Sequence, residues 1–232
     1  MKSSKLIIAL DTHSFQKAQE VVDALIHCVA FFKVGKELFT AVGPDIVHYI
    51  KGKGGRVFLD LKFHDIPATV KWACLAACGL GVDMLTVHAG GGSDMLKAAH
   101  AGCLEAKRPD VITLAVTVLT SINDTTLNRE MAVKGLVRDH VLHLAKIAKA
   151  AGMKGVIASP HEAAHVRKEC GTHFMIVTPG VRPEGAERHD QQRTMTPLEA
   201  VRAGADYIVI GRPVTQAADP RRAAEKILDS IN

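Results

Sequence analysis

The densest run of chemically capable side chains in the sequence is Asp60-Leu61-Lys62-Phe63-His64-Asp65-Ile66-Pro67. On a β-strand, Asp60 and Lys62 stand two residues apart and leave the same face. A carboxylate and an ammonium withdrawn from water cost several kcal/mol to desolvate unless they are paired, so such a pair is a poor stabilising device. Its chemistry is more useful. Function explains the pair better than stability does. A structural ion pair is the plain alternative, since such pairs also perturb pKa values. Asp65 stands just ahead of Pro67, where a strand gives way to a helix, and capping explains it as well as catalysis does. Lys33 closes the run Phe31-Phe32-Lys33, where a lone lysine snorkels to solvent unless it shares a register with Asp60 and Lys62.

The elements that must position these residues follow from hydrophobic periodicity. Short apolar or β-branched runs fall at Lys5–Leu10, Val29–Gly35, Arg56–Lys62, Met84–Ala89, Ile112–Leu119, Gly155–Ser159, Phe174–Pro179 and Tyr207–Gly211. Helical spacing fills the intervals at Phe15–Cys28, Leu38–Lys51, Ala68–Gly79, Asp94–Ala106, Val133–Ala151, Pro160–Cys170, Pro197–Ala203 and Arg221–Ile231. Nearly continuous apolar strands that alternate with amphipathic helices predict a parallel sheet covered by its crossovers. Eight such units over 232 residues predict an α/β fold of the (β/α)8 TIM-barrel type, one domain spanning residues 1–232. An open doubly wound sheet is the alternative, but the first strand ends in Leu10-Asp11-Thr12 with no glycine fingerprint. Gly79, Gly81, Gly152 and Gly204 precede strands as C-cap residues do, and Pro67, Pro160 and Pro197 sit near helix starts. Gly81-Val-Asp-Met-Leu-Thr-Val and Gly204-Ala-Asp-Tyr-Ile-Val-Ile resemble each other as repeated units would.

Barrel chemistry collects at the C-terminal ends of strands. Those ends carry Asp11, Lys33, Asp60, Lys62, His88, Thr117 to Ser121, Ser159, Thr178, Arg182, Gly211 and Arg212. The loops after strands seven and eight, where barrels often hold phosphate, read Gly180-Val-Arg182 and Gly211-Arg212. Glycine lets backbone N–H groups approach an anion and arginine offers a bidentate fork, although ordinary turns with solvated arginines have the same composition. The polar stretch from Arg182 to Thr194 is longer than a usual barrel connection and reads as a lid.

Asp60-Leu-Lys62-Phe-His-Asp65-Ile66-Pro67 resembles the D-x-K-x-x-D-I signature of the orotidine 5′-phosphate decarboxylase family. The resemblance extends over the chain through Ala9-Leu-Asp11, Phe32-Lys33-Val-Gly35, Thr117-Val-Leu-Thr120-Ser121, Thr178-Pro-Gly180-Val-Arg182-Pro183, Asp190-Gln191 and Ile210-Gly211-Arg212-Pro213. It implies decarboxylation of orotidine 5′-monophosphate to uridine 5′-monophosphate, in pyrimidine synthesis, with no cofactor and no metal. It implies that Lys33, Asp60, Lys62 and an Asp65 supplied by a second subunit form an alternating charged tetrad, which requires a homodimer with shared sites. Asp11 and Lys33 would hold ribose hydroxyls, with Thr69 reaching across the interface. Thr120 and Ser121 fall where the family contacts the pyrimidine, and Gln191 in the loop that closes over the nucleotide; neighbouring Gln192 is an equal candidate.

Composition removes other classes. The first apolar run is too short and wrongly flanked for a signal peptide, and no stretch reaches the roughly 20 apolar residues of a membrane span, so a cytoplasmic protein is expected. The five cysteines form no C-x-x-C pair, and Cys74 and Cys78 share a helix face, as packing residues do. A net charge of +5 is spread along a chain with two Tyr and one Trp, which lacks the basic face and stacking platform of a nucleic-acid binder. His161-Glu162-Ala163-Ala164-His165 matches the H-E-x-x-H zinc motif, a hydrolase alternative with no evident third ligand. Magnesium-dependent sugar-phosphate decarboxylases and hexulose-phosphate synthases, which share a D-x-K-x-x-D segment, are the nearer alternative; the His-Asp-Ile-Pro continuation and Asp190-Gln191 favour the nucleotide enzyme. Gly90-Gly91-Gly92 has no Walker Lys-Ser/Thr after it and reads as a flexible loop.

Overall fold

The computed structural model describes residues 3–183 and 195–231. Eight parallel strands close a barrel in sequence order: β1 (Ser3–Ala9), β2 (Val29–Gly35), β3 (Arg56–Phe63), β4 (Met84–His88), β5 (Ile112–Val116), β6 (Gly155–Ile157), β7 (Met175–Thr178) and β8 (Tyr207–Ile210). The helices are α1 (Phe15–Leu25), α2 (Lys36–Val42), α3 (Asp45–Gly52), α4 (Pro67–Gly79), α5 (Gly92–Glu105), α6 (Asp124–Arg129), α7 (Val137–Ala150), α8 (Pro160–Cys170), α9 (Pro197–Arg202), α10 (Arg212–Thr215) and α11 (Pro220–Ile231). No described helix is long and apolar enough to cross a membrane.

The period of two in each strand divides the core into two shells. Ile7, Phe31, Phe58, Met84, Leu114, Val116, Ile157, Val177 and Val209 point inward and fill the barrel. Ile8, Phe32, Val57, Leu59, Leu85, Ala115, Val156, Ile176 and Ile208 point outward and meet the apolar stripes of the helices. On α1 that stripe is Ala18, Val22 and Leu25, and Ser14 caps the helix by accepting from the Lys17 N–H at 3.3 Å. Each fully buried aliphatic or aromatic side chain contributes about 1.5–3 kcal/mol, so the two shells supply most of the driving force.

Four expectations are corrected. The helix expected over Leu38–Lys51 is two helices, because Gly43 takes φ +66° and Pro44 follows it. Periodicity did not reveal this break, since both halves keep an apolar face. The helix expected from Val133 begins at Val137, α6 fills a stretch for which no element was expected, and α10 starts in the loop expected after the eighth strand. Ala89–Gly91 is a turn of 3-10 helix running directly into α5, so Gly90-Gly91-Gly92 is an ordered connection. The expected lid is described only at Arg182 and Pro183; residues 184–194, with Asp190, Gln191 and Gln192, lie outside the described residues.

The two similar segments have a structural reason. Asp83 Oδ2 accepts from the Val57 N–H at 2.7 Å and from Lys51 Nζ at 2.9 Å. Asp206 Oδ2 accepts in the same way from the Ile176 N–H at 2.7 Å and from Arg167 Nη2 at 2.6 Å. Each carboxylate ties the start of its own strand to the preceding strand and a helix, at the end of the barrel away from the mouth. Arg167 also donates to the carbonyls of Gly171, Phe174 and Gly204 at 2.8, 2.7 and 2.8 Å. Arg167→Ala is therefore expected to cost about 1.5–3 kcal/mol, the range for hydrogen bonds to a charged group. Urea unfolding checks this, and kcat should stay at the wild-type value because the mouth is untouched.

Candidate active site

The alternation that fills the barrel also delivers its mouth. The inward series Ile7-Ala9 on β1 continues to Asp11, Phe31 on β2 to Lys33, Phe58 on β3 to Asp60, and Met84 on β4 to Thr86 and His88. A cavity of about 300 Å³ opens there, at the lower end of the roughly 300–1,000 Å³ usual for small-molecule sites. Its polar wall is Lys33, Asp60 and Lys62; Val116, Ile157 and Val209 form the apolar wall, and Thr120, Ser121 and Pro179 stand at the rim. A flat ring with one charged edge suits such a division.

Asp60 is the buried centre. Its two oxygens accept from Lys62 Nζ at 2.9 and 2.8 Å, and Oδ1 also accepts from the Thr86 hydroxyl at 3.0 Å. Lys33 Nζ lies 3.9 Å from Asp60 Oδ2 and donates to Asp11 Oδ1 at 2.8 Å. Burial by itself raises the Asp60 pKa; the charges of Lys33 and Lys62, with the hydrogen bonds from Lys62 and Thr86, outweigh it and hold the carboxyl below its ordinary value. Glycine at position 35 makes room for this array, since a Cβ there would come within 3.0 Å of Lys33 Nζ.

Lys62 departs from a regular strand. Its φ is +52°, the left-handed region, and the β3–β4 pairing shifts between Leu59 and Phe63. The Lys62 N–H donates to Thr86 Oγ1 at 2.9 Å, so the same hydroxyl receives the bulged backbone and donates to Asp60. For a residue with a Cβ this conformation costs roughly 1–2 kcal/mol. Simple alternation was expected to bring Asp60 and Lys62 to one face; they do meet, through a bulge that re-aims the lysine. Thr86 was missed, although its place in the inward series of β4 was a usable signal.

The remaining candidates are distributed around this centre. Thr120 and Ser121 both line the cavity, while Asp11 reaches it through Lys33. Asp65, Ile66 and Thr69 are exposed at the start of α4 and do not line it. Asp65 does not cap α4 as capping residues do: Ile66 is the N-cap residue, and Asp65 Oδ1 accepts that residue's own N–H at 2.6 Å. Gly211 follows β8 beside Asp11, where a Cβ would lie 3.4 Å from Asp11 Oδ2, and Arg212 opens α10. Arg182 is buried, its Nη1 donating to the Val181 carbonyl at 3.0 Å. The zinc constellation is not assembled: α8 turns Glu162 into the protein and leaves His161 and His165 exposed. Among the described residues no group of three His, Cys, Asp or Glu is placed to hold a metal.

Fold and site together define a barrel enzyme whose mouth holds a buried carboxylate between two ammonium groups. The chain belongs to the orotidine 5′-phosphate decarboxylase / HUMPS family, whose model matches residues 4–227. The orotidine 5′-phosphate decarboxylase of Moorella thermoacetica is 50% identical over 231 residues, covering 98% of this chain and 92% of that protein. That of Syntrophotalea carbinolica is 51% identical, covering 98% and 94%. The crystal structure of orotidine 5′-phosphate decarboxylase from Lactobacillus acidophilus superposes with a TM-score of 0.88 at 40% identity, covering 99% of this chain and all of that one.

The depressed Asp60 pKa has a consequence for stability. A carboxyl whose folded pKa lies below its unfolded value of about 3.9 stabilises the fold fully above that value and loses the contribution as pH falls through the folded pKa. The difference in unfolding free energy between wild type and Asp60→Asn should thus be constant from neutral pH to about pH 5 and shrink below about pH 4. Urea titrations across that range test the sign; a difference that grew on acidification would contradict it.

Proposed function

We propose that this protein decarboxylates orotidine 5′-monophosphate to uridine 5′-monophosphate without a cofactor, and that Lys62 is the proton donor. The observation that carries the reading is the Lys62 ammonium held on the buried Asp60 carboxylate at the cavity wall. Breaking the bond from C6 to the carboxylate leaves its electron pair on C6 as CO2 departs, and no neighbouring π system of the ring takes up that charge readily. The ammonium stabilises it electrostatically, then transfers a proton to C6 and recovers one from solvent. An ammonium has three N–H donors, and the two bonds to Asp60 leave at least one for the substrate. Asp60 keeps Lys62 aimed, and in this reading the departing carboxylate lies beside it. In this reading Lys33 and Asp11 take the ribose hydroxyls, Thr120 and Ser121 the pyrimidine edge, and Arg182, Gly211 and Arg212 the phosphate; the family resemblance adds Gln191, which lies outside the described residues. A cytoplasmic site of action fits a soluble nucleotide substrate.

The nearer alternative is a magnesium-dependent sugar-phosphate reaction. Both Asp60 oxygens already accept from Lys62, and Oδ1 also from Thr86, which suits an ammonium partner better than a metal ion. The deciding experiment follows the absorbance of orotidine 5′-monophosphate with purified protein in excess EDTA. Sustained turnover supports the proposal, and turnover that requires added magnesium supports the alternative. Lys62→Ala should abolish nearly all turnover while keeping uridine 5′-monophosphate affinity.

The site is proposed to be completed by a second copy of the chain. Asp65 and Thr69 stand outside their own cavity, on a surface where Ile66 and Trp72 are 67% and 57% exposed. Two apolar side chains so exposed beside two polar ones are suited to an isologous contact that carries Asp65 and Thr69 to the partner's site. Mixing Lys62→Ala with Asp65→Asn subunits should then restore about a quarter of wild-type activity, because random exchange puts half the chains in mixed dimers with one intact site of two. No recovery after demonstrated exchange would remove the shared site.

A further inference from the structure

Two histidines at the mouth are not needed for the proton transfer. His88 ends β4 in the inward series Met84-Thr86-His88 and pairs in register with Val116, a wall residue of the cavity. His64 lies two residues beyond Lys62, in the segment that carries the chain from β3 into α4. Their rings pack with centroids 5.2 Å apart and planes tilted by 37°. Beyond them is the 3-10 turn at Ala89–Gly91: a Cβ on Gly91 would sit 3.3 Å from His64 Cδ2 and would collide with Met95. The His64 ring thus reaches both the end of β4 and bare backbone just after it.

This packing sits where Lys62 requires support. A left-handed residue that is not glycine persists only when its surroundings over-determine it. Thr86 fixes the Lys62 backbone N–H, and the β3–β4 ladder resumes with Phe63 opposite Val87. Phe63 packs against the core outside the barrel, but from His64 to Thr69 every residue is exposed, so the His64–His88 ring contact is the anchor on the side where the chain leaves β3 for α4. We propose that the His64–His88 ring pair is a positioning device: it locks the left-handed turn at Lys62 and thereby holds the ammonium on Asp60 in the orientation that delivers the proton. Neither ring touches the reacting carbon. The charge state of His88 suits the role. Burial, and then the neighbouring His64, Lys36 and Lys62, push its pKa down to about 4 against the pull of Asp60, so the ring beside Lys62 is neutral and does not compete for the carboxylate.

The inference rests on Lys62 being the proton donor, and its test separates the two claims. His64→Ala, His88→Ala and the double variant are compared with wild type for kcat, KM and uridine 5′-monophosphate affinity, and crystal structures of wild type and His64→Ala are determined. Each single variant should lose roughly a hundred-fold in kcat, the scale of a 1 Å misplacement, with KM and product affinity within about twofold. The double variant should lose no more than either single, because one device is broken once. His64→Phe, which keeps a flat ring, should recover at least about tenfold of the loss. In the His64→Ala crystal Lys62 should have left positive φ. Unchanged kcat, additive losses, or a Lys62 that keeps its φ and its bond to Asp60 would each overturn the proposal. Should His88→Ala not fold, His88→Leu removes the ring while keeping bulk. If wild type does not act on the orotate nucleotide, the function reading fails while the Lys62 conformation still decides the positioning claim.

Discussion

A carboxylate buried at the mouth of a barrel has to be compensated, and the surroundings of Asp60 are organised by that requirement. Leaving such a charge without a partner would cost several kcal/mol. Lys62, Lys33 and Thr86 meet the demand together, and each imposes a further constraint. Lys62 reaches Asp60 through a left-handed bulge. Lys33 needs the space left by Gly35 and is itself held by Asp11. Thr86 serves both the bulged backbone and the carboxylate. One buried charge thereby links the ends of four consecutive strands, and a rearrangement of any of them is felt at the ammonium.

The mouth is divided as a result. Polar inward positions end β1 to β4, whereas β5, β6 and β8 reach the cavity with Val116, Ile157 and Val209. The apolar wall lowers the local dielectric around the ion pairs, which strengthens both their attraction and the penalty for leaving one incomplete. A fixed ammonium in such surroundings does not have to reorganise when charge develops on the substrate. That is the condition under which electrostatic stabilisation contributes most to a rate.

How much of this was legible in the sequence depends on the range of the signal. Eight strands and their inward faces follow from a period of two, and Lys33, Asp60 and Lys62 were found because charge at strand ends interrupts apolar alternation. The break at Gly43-Pro44 was readable from those residues but was overridden by the periodicity of the flanking halves. The left-handed Lys62 was not readable. Its strand pattern continues through Phe63, and the bulge appears only in the pairing of β3 with β4. Thr86 was readable as an inward position of β4, but its two hydrogen bonds, to Asp60 and from the Lys62 N–H, appear only once the neighbour across the ladder is known. Local composition also suggested roles for the glycines at 90–92 and for His161 and His165 that the packing of α5 and α8 does not support.

Three aspartates separate support from chemistry within one barrel. Asp83 and Asp206, ahead of their strands, each give an oxygen to a backbone N–H of the preceding strand and to a basic side chain. Their accepting capacity goes to the framework, and the cations they hold have the same duty. Asp60 lies at the other end of a strand, where among the described residues no backbone N–H reaches it, and its partners are side chains: two ammoniums and a hydroxyl. The lysines on Asp60 lie at the cavity wall, whereas the basic side chains on Asp83 and Asp206 lie away from it. The same residue type therefore serves the framework at one end of the barrel and holds free-ended side-chain charges at the other, and what distinguishes the two settings is whether backbone donors occupy the carboxylate.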